Sequence, residues 1–406
     1  MWWLTALGVA SAADWTTLQG TETGEDPPMV KPWGFVQVLG EGIVAGGPVE
    51  GLSSATLSAF DGEVPVYNRV GSGDATFGLT IRRARVGLRG AMPKTDERVN
   101  YLFAAEFGDN GLTRLQPVVL TDASITFSYI PYARVRVGQF KMPLGEEALE
   151  MNPIAAEFVN FTNTTSQLLL ENPSVGGVYV SGASGFRDVG LQVFDTVELG
   201  SGALSYAAVV SNGRMGTLDI DDGKDVIGRL AWAPVIWGKP DDPRRDEVQL
   251  FAFWQQGTRE VDGDRADRIR RGGGIQVQRS GIHARAEVIQ ATGTLETGTS
   301  PPFPGQPVTV AAEGQAVGGY AYVKARRGVF GAGLRYDELW RRTESPADLR
   351  VFRTGTLDLQ VEPTPRVRAL LDVEARFLAA PEGSDDAKLL AEVMGHRVSL
   401  MTEVIF

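Results

Sequence analysis

Residues 366–377 read Arg366-Val367-Arg368-Ala369-Leu370-Leu371-Asp372-Val373-Glu374-Ala375-Arg376-Phe377. Val367, Ala369, Leu371, Val373, Ala375 and Phe377 fall on one side of an extended chain. Arg366, Arg368, Asp372, Glu374 and Arg376 fall on the other. Successive side chains of a strand point to opposite faces, so this is a strand with one apolar and one charged face. The same period sets Ala84, Val86 and Leu88 against Arg83, Arg85 and Arg89. It sets Val99, Tyr101, Phe103, Ala105 and Phe107 against Asn100, Ala104 and Glu106, and Ala123, Ile125, Phe127 and Tyr129 against Asp122, Ser124, Thr126 and Ser128. Extended along the chain, the alternation places 16 strands near 33–42, 79–91, 99–108, 118–129, 133–140, 188–195, 202–211, 225–234, 246–257, 271–279, 281–291, 315–326, 328–337, 350–361, 365–378 and 391–406. Residues 173–182 read as a loop because Gly and Pro flank them, and helix-period stretches are nearly absent.

The connections alternate in length. Short ones, such as 130–132, 280 and 362–364, alternate with mostly long polar ones at 43–78, 109–117, 141–187, 212–224, 258–270, 292–314, 338–349 and 379–390. That pattern describes an up-and-down antiparallel meander. A sheet of this many strands twists and cannot leave its edges open, so closure into a barrel is expected. A 16-stranded barrel is too wide to fill with its own side chains, so its interior is wet and its apolar face must meet lipid. The expected fold is therefore an all-β transmembrane barrel with short periplasmic turns and long extracellular loops. Tyr101, Phe127, Tyr129, Trp232 and Trp237 toward the short turns, and Trp254, Tyr336, Trp340 and Phe377 toward the long loops, fit as interfacial aromatics. Leu400, Val404 and Phe406 share one face of a last strand that ends on an aromatic residue, as bacterial outer-membrane barrels do.

The formal net charge of −11 argues against nucleic acid as a partner. The absence of cysteine excludes disulfides, thiol catalysis, iron–sulfur clusters and cysteine zinc sites, and two histidines, His283 and His396, leave little for a histidine metal cluster. No apolar run reaches 18 residues, so no transmembrane helix is expected. Residues 1–12 are apolar and end Ala10-Ser11-Ala12, the form of a signal-peptidase site, although Trp2-Trp3 stands where a basic region is usual. The expected division is a signal peptide at 1–12, a periplasmic segment at 13–32, and an outer-membrane barrel at 33–406 with an inward-folding loop near 141–187.

Several motifs resemble those of the phosphate-selective porin O and P family. Ile81-Arg82-Arg83-Ala84-Arg85-Val86-Gly87-Leu88-Arg89-Gly90 looks like one family strand, and Leu120-Thr121-Asp122-Ala123 like another. Val135-Arg136-Val137-Gly138-Gln139-Phe140-Lys141-Met142-Pro143-Leu144-Gly145 is similar to the family's most specific element. Arg187-Asp188-Val189-Gly190, Tyr206 with Ser211-Asn212-Gly213, and Gly228-Arg229-Leu230-Ala231-Trp232-Ala233-Pro234 resemble later ones. The resemblance covers roughly residues 30–406. It implies a homotrimeric 16-stranded pore in the bacterial outer membrane, with a loop folded into the lumen. With 7 Lys in the chain it does not by itself imply phosphate.

Candidate pore-lining residues are Arg83, Arg85, Arg89, Arg134 and Arg136, with Glu106, Asp122, Lys141, Arg366 and Arg368. A guanidinium is always charged and offers a planar donor fork to oxyanions, so arginines in a wet lumen favour anions by replacing lost hydration. The alternative is that they pair with acids on neighbouring strands, Asp122 and Glu106 being the candidates. Glu146, Glu147, Glu150, Glu157 and Glu171 make loop 141–187 acidic, and an inward fold sets it against the arginine stripes; the other placement is an external lid. His283 alternates toward the lumen and reads as lining. Asp219–Asp225 lacks the spacing of an EF-hand, and Gly272-Gly273-Gly274 opens no helix, so neither reads as a ligand site.

The first expectation is a passive outer-membrane channel for small hydrophilic solutes, with a preference for phosphate-like anions as a further step. No cofactor, metal or catalytic residue is expected. An adhesive or structural barrel acting through its external loops is the second reading. A periplasmic β-rich hydrolase is the third, and no paired-carboxylate cleft stands out for it.

Overall fold

In a computed structural model the chain closes into one antiparallel barrel. The structure describes residues 19–21, 27–70, 75–92, 96–108, 118–150, 156–171, 174–175, 178–179, 185–213, 222–237, 246–297, 303, 306 and 309–406. The expected signal peptide and Asp219 and Asp221 lie outside these residues.

The barrel strands are β1 (Lys31–Val44), β2 (Phe77–Met92), β3 (Asp96–Glu106), β4 (Val119–Ile130), β5 (Ala133–Lys141), β6 (Arg187–Leu199), β7 (Gly202–Ser211) and β8 (Asp225–Ile236). They continue as β9 (Glu247–Val261), β10 (Asp264–Arg279), β11 (Ile282–Glu296), β12 (Val310–Arg327), β13 (Phe330–Arg341), β14 (Arg350–Thr364), β15 (Val367–Ala379) and β16 (His396–Ile405). Each strand pairs with its sequence neighbours, and β1 pairs with β16 from Phe35↔Ile405 to Val44↔His396. The Phe406 amide donates to Gly34 O at 2.9 Å and the Gly34 amide to Phe406 O at 3.0 Å, so the seam ends on the terminal aromatic. With no free edge, every central ladder group is satisfied inside the sheet, which hydrocarbon requires.

The alternation sets the two faces. Val86, Leu88, Leu191, Leu230, Leu250, Val288, Val323, Leu334, Leu357 and Leu400 are exposed on the outside, and Tyr129, Trp232, Trp254, Tyr336 and Trp340 flank them. Gln37, Arg85, Glu106, Gln192, Arg229, Arg285 and Asp358 are buried inside. The polar side is the buried side, the reverse of a soluble barrel.

Two connections depart from the sequence reading. The expected long loop at 258–270 is a two-residue hairpin in which Val261 pairs with Asp264. Asp262 and Gly263 both have positive φ, 54° and 89°, which is the backbone of a type I′ turn, so β9 and β10 run on past the expected ends. Within 173–182, Ser174–Val175 and Val178–Tyr179 form a small hairpin of their own, outside the barrel order.

Helix is sparse but present. α1 (Glu146–Glu150) and α2 (Asn163–Leu168) lie in the loop after β5, and α3 (Asp385–Glu392) precedes β16. The Ser384 hydroxyl caps α3 by accepting from the Ala387 amide at 3.2 Å. Val49, Leu52 and Phe303 are buried against Leu57, Phe60, Leu389, Leu390 and Val393, so loops from three parts of the chain pack together over the external mouth.

The candidate pore and its lumenal loop

The described residues 142–150 and 156–171 of the loop after β5 stand inside the barrel, and their acids hold them there. Glu147 meets Arg335 at 3.2 Å, and Glu171 meets Arg259 and Arg268, both at 2.9 Å. Glu146 pairs with Arg229, and Glu150 with Arg285. Glu157 accepts from His283 at 3.0 Å and pairs with Lys324 and Arg326. Backbone groups finish the attachment. The Val159 amide donates to Asp372 at 2.8 Å, the Asn163 amide to Asp337 at 3.0 Å, and Arg368 donates to Ala156 O at 2.8 Å. Burial pushes the Glu171 carboxyl up, but Arg259 and Arg268 outweigh it and hold that carboxyl at about 2.

These partners lie on β8 to β15. The acidic loop therefore docks on the far wall and not on the stripes of β2 and β5 that the sequence sets opposite it. The row of glutamates is visible in the sequence, but their partners come from strands up to about 200 residues downstream, which only closure brings near.

Each expected lining residue has a definite place. Arg83, Arg85 and Arg89 are on the inner face of β2, and Arg85 meets Glu106 at 2.9 Å. Glu106, fully buried, also accepts from the Ala84 amide at 2.8 Å and the Gly108 amide at 3.0 Å. Asp122 meets Arg187 at 2.9 Å, a residue outside the expected set, and Arg134 meets Asp195 at 2.7 Å. Lys141 is buried and donates to the carbonyls of Ala148 and Leu149 at 3.0 and 3.1 Å, so it ties down the end of α1 and does not stand free in the lumen. Arg368 meets Glu403 at 2.6 Å. Arg366 is exposed in the turn between β14 and β15 and is not on the wall, because β15 begins only at Val367.

Arg136 is 1% exposed. Its Nε donates to Thr126 Oγ1 and its Nη1 to Gln192 Oε1, both at 3.2 Å, and its Nη2 donates to the backbone carbonyl of Gln19. Residues 19–21 of the segment expected in the periplasm thus lie inside the barrel.

A cavity of about 670 Å³ opens between the loop and the walls formed by β1, β2 and β13 to β16. Seven arginines line it against four acids. Arg341 donates to Gln167 Oε1 at 2.8 Å, Arg350 to the carbonyls of Ala347 and Leu349, and Arg376 to the carbonyls of Gly395 and Tyr67. These three end on neutral acceptors, so their charge is not cancelled at contact. The sequence reading missed Arg341 and Arg350, which stand at strand ends. It also missed Arg82, which lines the cavity because the β1–β2 register shifts between Gln37 and Val38 and turns Arg82 inward beside Arg83.

Residues 55–167 match the family described as phosphate-selective porin O and P. The fold is similar to that of an anion-selective porin from Comamonas acidovorans, with a TM-score of 0.59 and 12% identity over 94% of this chain and 100% of that one. It is similar also to OmpF of Salmonella typhi, solved with daunomycin, with a TM-score of 0.59 and 9% identity over 93% of this chain and 97% of that one. No curated protein matches it in sequence. A closed 16-strand barrel with an apolar outer face and a charged interior surrounds the segment 55–167 that matches the phosphate-selective porin O and P family, and its fold is that of outer-membrane porins.

Proposed function

We propose that this porin is a passive channel for small hydrophilic solutes and that it prefers anions. The observation that carries the preference is the cavity beneath the external loops, where Arg341, Arg350 and Arg376 end on neutral acceptors. A guanidinium bound to a carbonyl or an amide keeps its full charge. Low-dielectric walls focus its field into the lumen and lower the barrier to an anion that has shed part of its water. Most other inner-wall arginines are cancelled locally by Glu106, Asp122, Asp195, Glu403 and the loop acids, so they shape the pore without attracting solutes. The likeness to an anion-selective porin supports the same reading. The family resemblance supports a homotrimer, in which the apolar outer face is shared between lipid and neighbouring barrels. The interior is a channel rather than an enzyme site.

Single-channel recording in planar bilayers tests this. The wild type should conduct, and its reversal potential in a salt gradient should have the sign of an anion-preferring pore. Arg341→Gln with Arg350→Gln should lower the anion-to-cation permeability ratio by about twofold, more at low than at high salt. An unchanged ratio sinks the assignment of the preference to this cavity, and a folded barrel that passes no current sinks the channel.

A further inference from the structure

Gln19, Gly20 and Thr21 stand between the β3–β5 wall and the lumenal loop. The Gln19 carbonyl accepts from Arg136, and the Gln19 side-chain amide donates to Leu149 O in α1 at 3.1 Å. Gly20 has φ +75°, and a Cβ built there would lie 3.5 Å from both Arg136 Nε and Leu102 Cβ. Thr21 is 3% exposed, and its hydroxyl is buried without a hydrogen-bond partner among the described residues. Further along, Pro28 O accepts from the Ala91 amide and Met29 O from the Tyr101 hydroxyl, both at 3.0 Å. Ala91 and Tyr101 flank the turn between β2 and β3, so Pro28 and Met29 lie at the periplasmic rim.

The contact with Arg136 has a chemical consequence. A carbonyl oxygen satisfies a guanidinium N–H but carries only a partial charge, so Arg136 remains cationic. Thr126 Oγ1 and Gln192 Oε1 are neutral acceptors as well, and the Asp122 carboxylate stands close enough to act on the charge. The Gln19 carbonyl therefore stands where an oxyanion crossing the lumen would meet this arginine. A carbonyl is the weaker partner for a guanidinium than an oxyanion, which forms charge-assisted bonds. Among the described residues, Gln19 is held through one backbone carbonyl and one side-chain amide, and the Thr21 hydroxyl has no hydrogen-bond partner.

We propose that residues 19–21 are an internal strap that occupies the oxyanion position at Arg136 and narrows the pore from its periplasmic side. With the strap in place solutes are kept from direct contact with the Arg136 guanidinium. With the strap withdrawn the lumen is wider and Arg136 becomes a second anion-selecting charge. The inference about current rests on the channel reading, whereas the position of the strap does not, and the two can be tested apart.

Position is tested in the full-length chain, which has no native cysteine. A Cβ at Gly20 would lie 3.5 Å from Leu102 Cβ, within disulfide range. Gly20→Cys with Leu102→Cys should cross-link under mild oxidation in the folded barrel, read as a reversible mobility shift. A folded double variant that does not cross-link overturns the strap. Conductance is tested in a chain lacking residues 16–26, which keeps Pro28 and Met29 on the rim. Its single-channel conductance should rise by about twofold, and Arg136→Gln should lower its anion preference by more than the same substitution lowers that of the full chain. Unchanged conductance in the shortened chain, beside a conducting wild type, overturns the inference and leaves the channel standing. Absence of current from both overturns the channel reading instead. Should the shortened chain not assemble, the cross-linked barrel decides: reduction should raise its open-channel noise, and identical traces before and after reduction count against the strap.

Discussion

Gly138 shows how one position can fix a wall. Its φ of +123° is a conformation that L side chains rarely adopt, and a Cβ there would overlap the Ala123 carbonyl oxygen and come within 2.9 Å of Ser124 Cα. The glycine in the Val137-Gly138-Gln139-Phe140 element is thus required by the close approach of β4. Gly138→Ala should destabilise the barrel on the order of 2–3 kcal/mol, measured as a lower temperature for conversion of the folded to the unfolded band on gels. A gel transition at the wild-type temperature would show that β4 and β5 can separate at no cost. Other residues were only half legible. Alternation puts Arg85, Glu106 and Asp122 on one face, where all three are buried, yet it says nothing of who meets whom. Arg85 takes Glu106, but Asp122 reaches past β5 to Arg187 at the start of β6, a meeting that register and not alternation sets.

The loop after β5 works as a unit. Its glutamates are visible in the sequence as a charge run, and their meaning comes from what they dock on. Glu157 gathers His283, Lys324 and Arg326, and Glu171 gathers Arg259 and Arg268. Removing Glu157 takes the acceptor from His283 and the anion from Arg326, while Lys324 keeps Asp358 at 2.6 Å. Glu157→Ala should weaken the folded state by roughly 1–3 kcal/mol, discounted for lumen water that reaches part of the cluster, and should make single-channel current noisier. A quiet trace with wild-type stability would mean the loop is held elsewhere. The same docking sets a pH window. The Glu171 carboxyl is held at about 2, below its ordinary value of 4.5. A depressed folded value contributes stability that is fully present above the ordinary carboxyl range and is lost as pH falls through about 2. Channel noise from this anchor should therefore be flat from neutral pH to about 4 and rise only on approach to 2, and Glu171→Gln should show the noisy state at neutral pH. The hairpin at Asp262-Gly263 was the plainest missed signal. An Asp-Gly pair between two charged, alternating arms favours a type I′ turn, but the charge density of 258–270 reads as solvated loop when weighed by polarity alone.

Strand number, order and face were legible across the whole molecule because a single rule, period two, repeats in all sixteen strands and leaves closure as the only way to satisfy both edges. The crowding of the interior was not legible. It arises from the loop and from residues 19–21 filling space that a pattern of faces cannot measure. What the pattern does fix is the solvent of each face, and that has a sharp consequence. Val288 lies near the middle of β11, is 57% exposed, and points away from the lumen, whereas its neighbour Glu287 points inward and is 1% exposed. In water an exposed Val→Arg change costs little. In a bilayer the same charge at mid-depth costs about 2–4 kcal/mol, because the guanidinium must reach the interface or draw water into the hydrocarbon. Val288→Arg should lower the midpoint of guanidinium-induced unfolding from lipid bilayers by an amount corresponding to that cost. Phe330→Arg, at the strand end beside the periplasmic turn, should cost at most about 1 kcal/mol, since charge is tolerated near the interfaces. Equal, near-zero effects at both positions would mean that the apolar face does not meet hydrocarbon, and the placement of this barrel in a membrane would have to be abandoned.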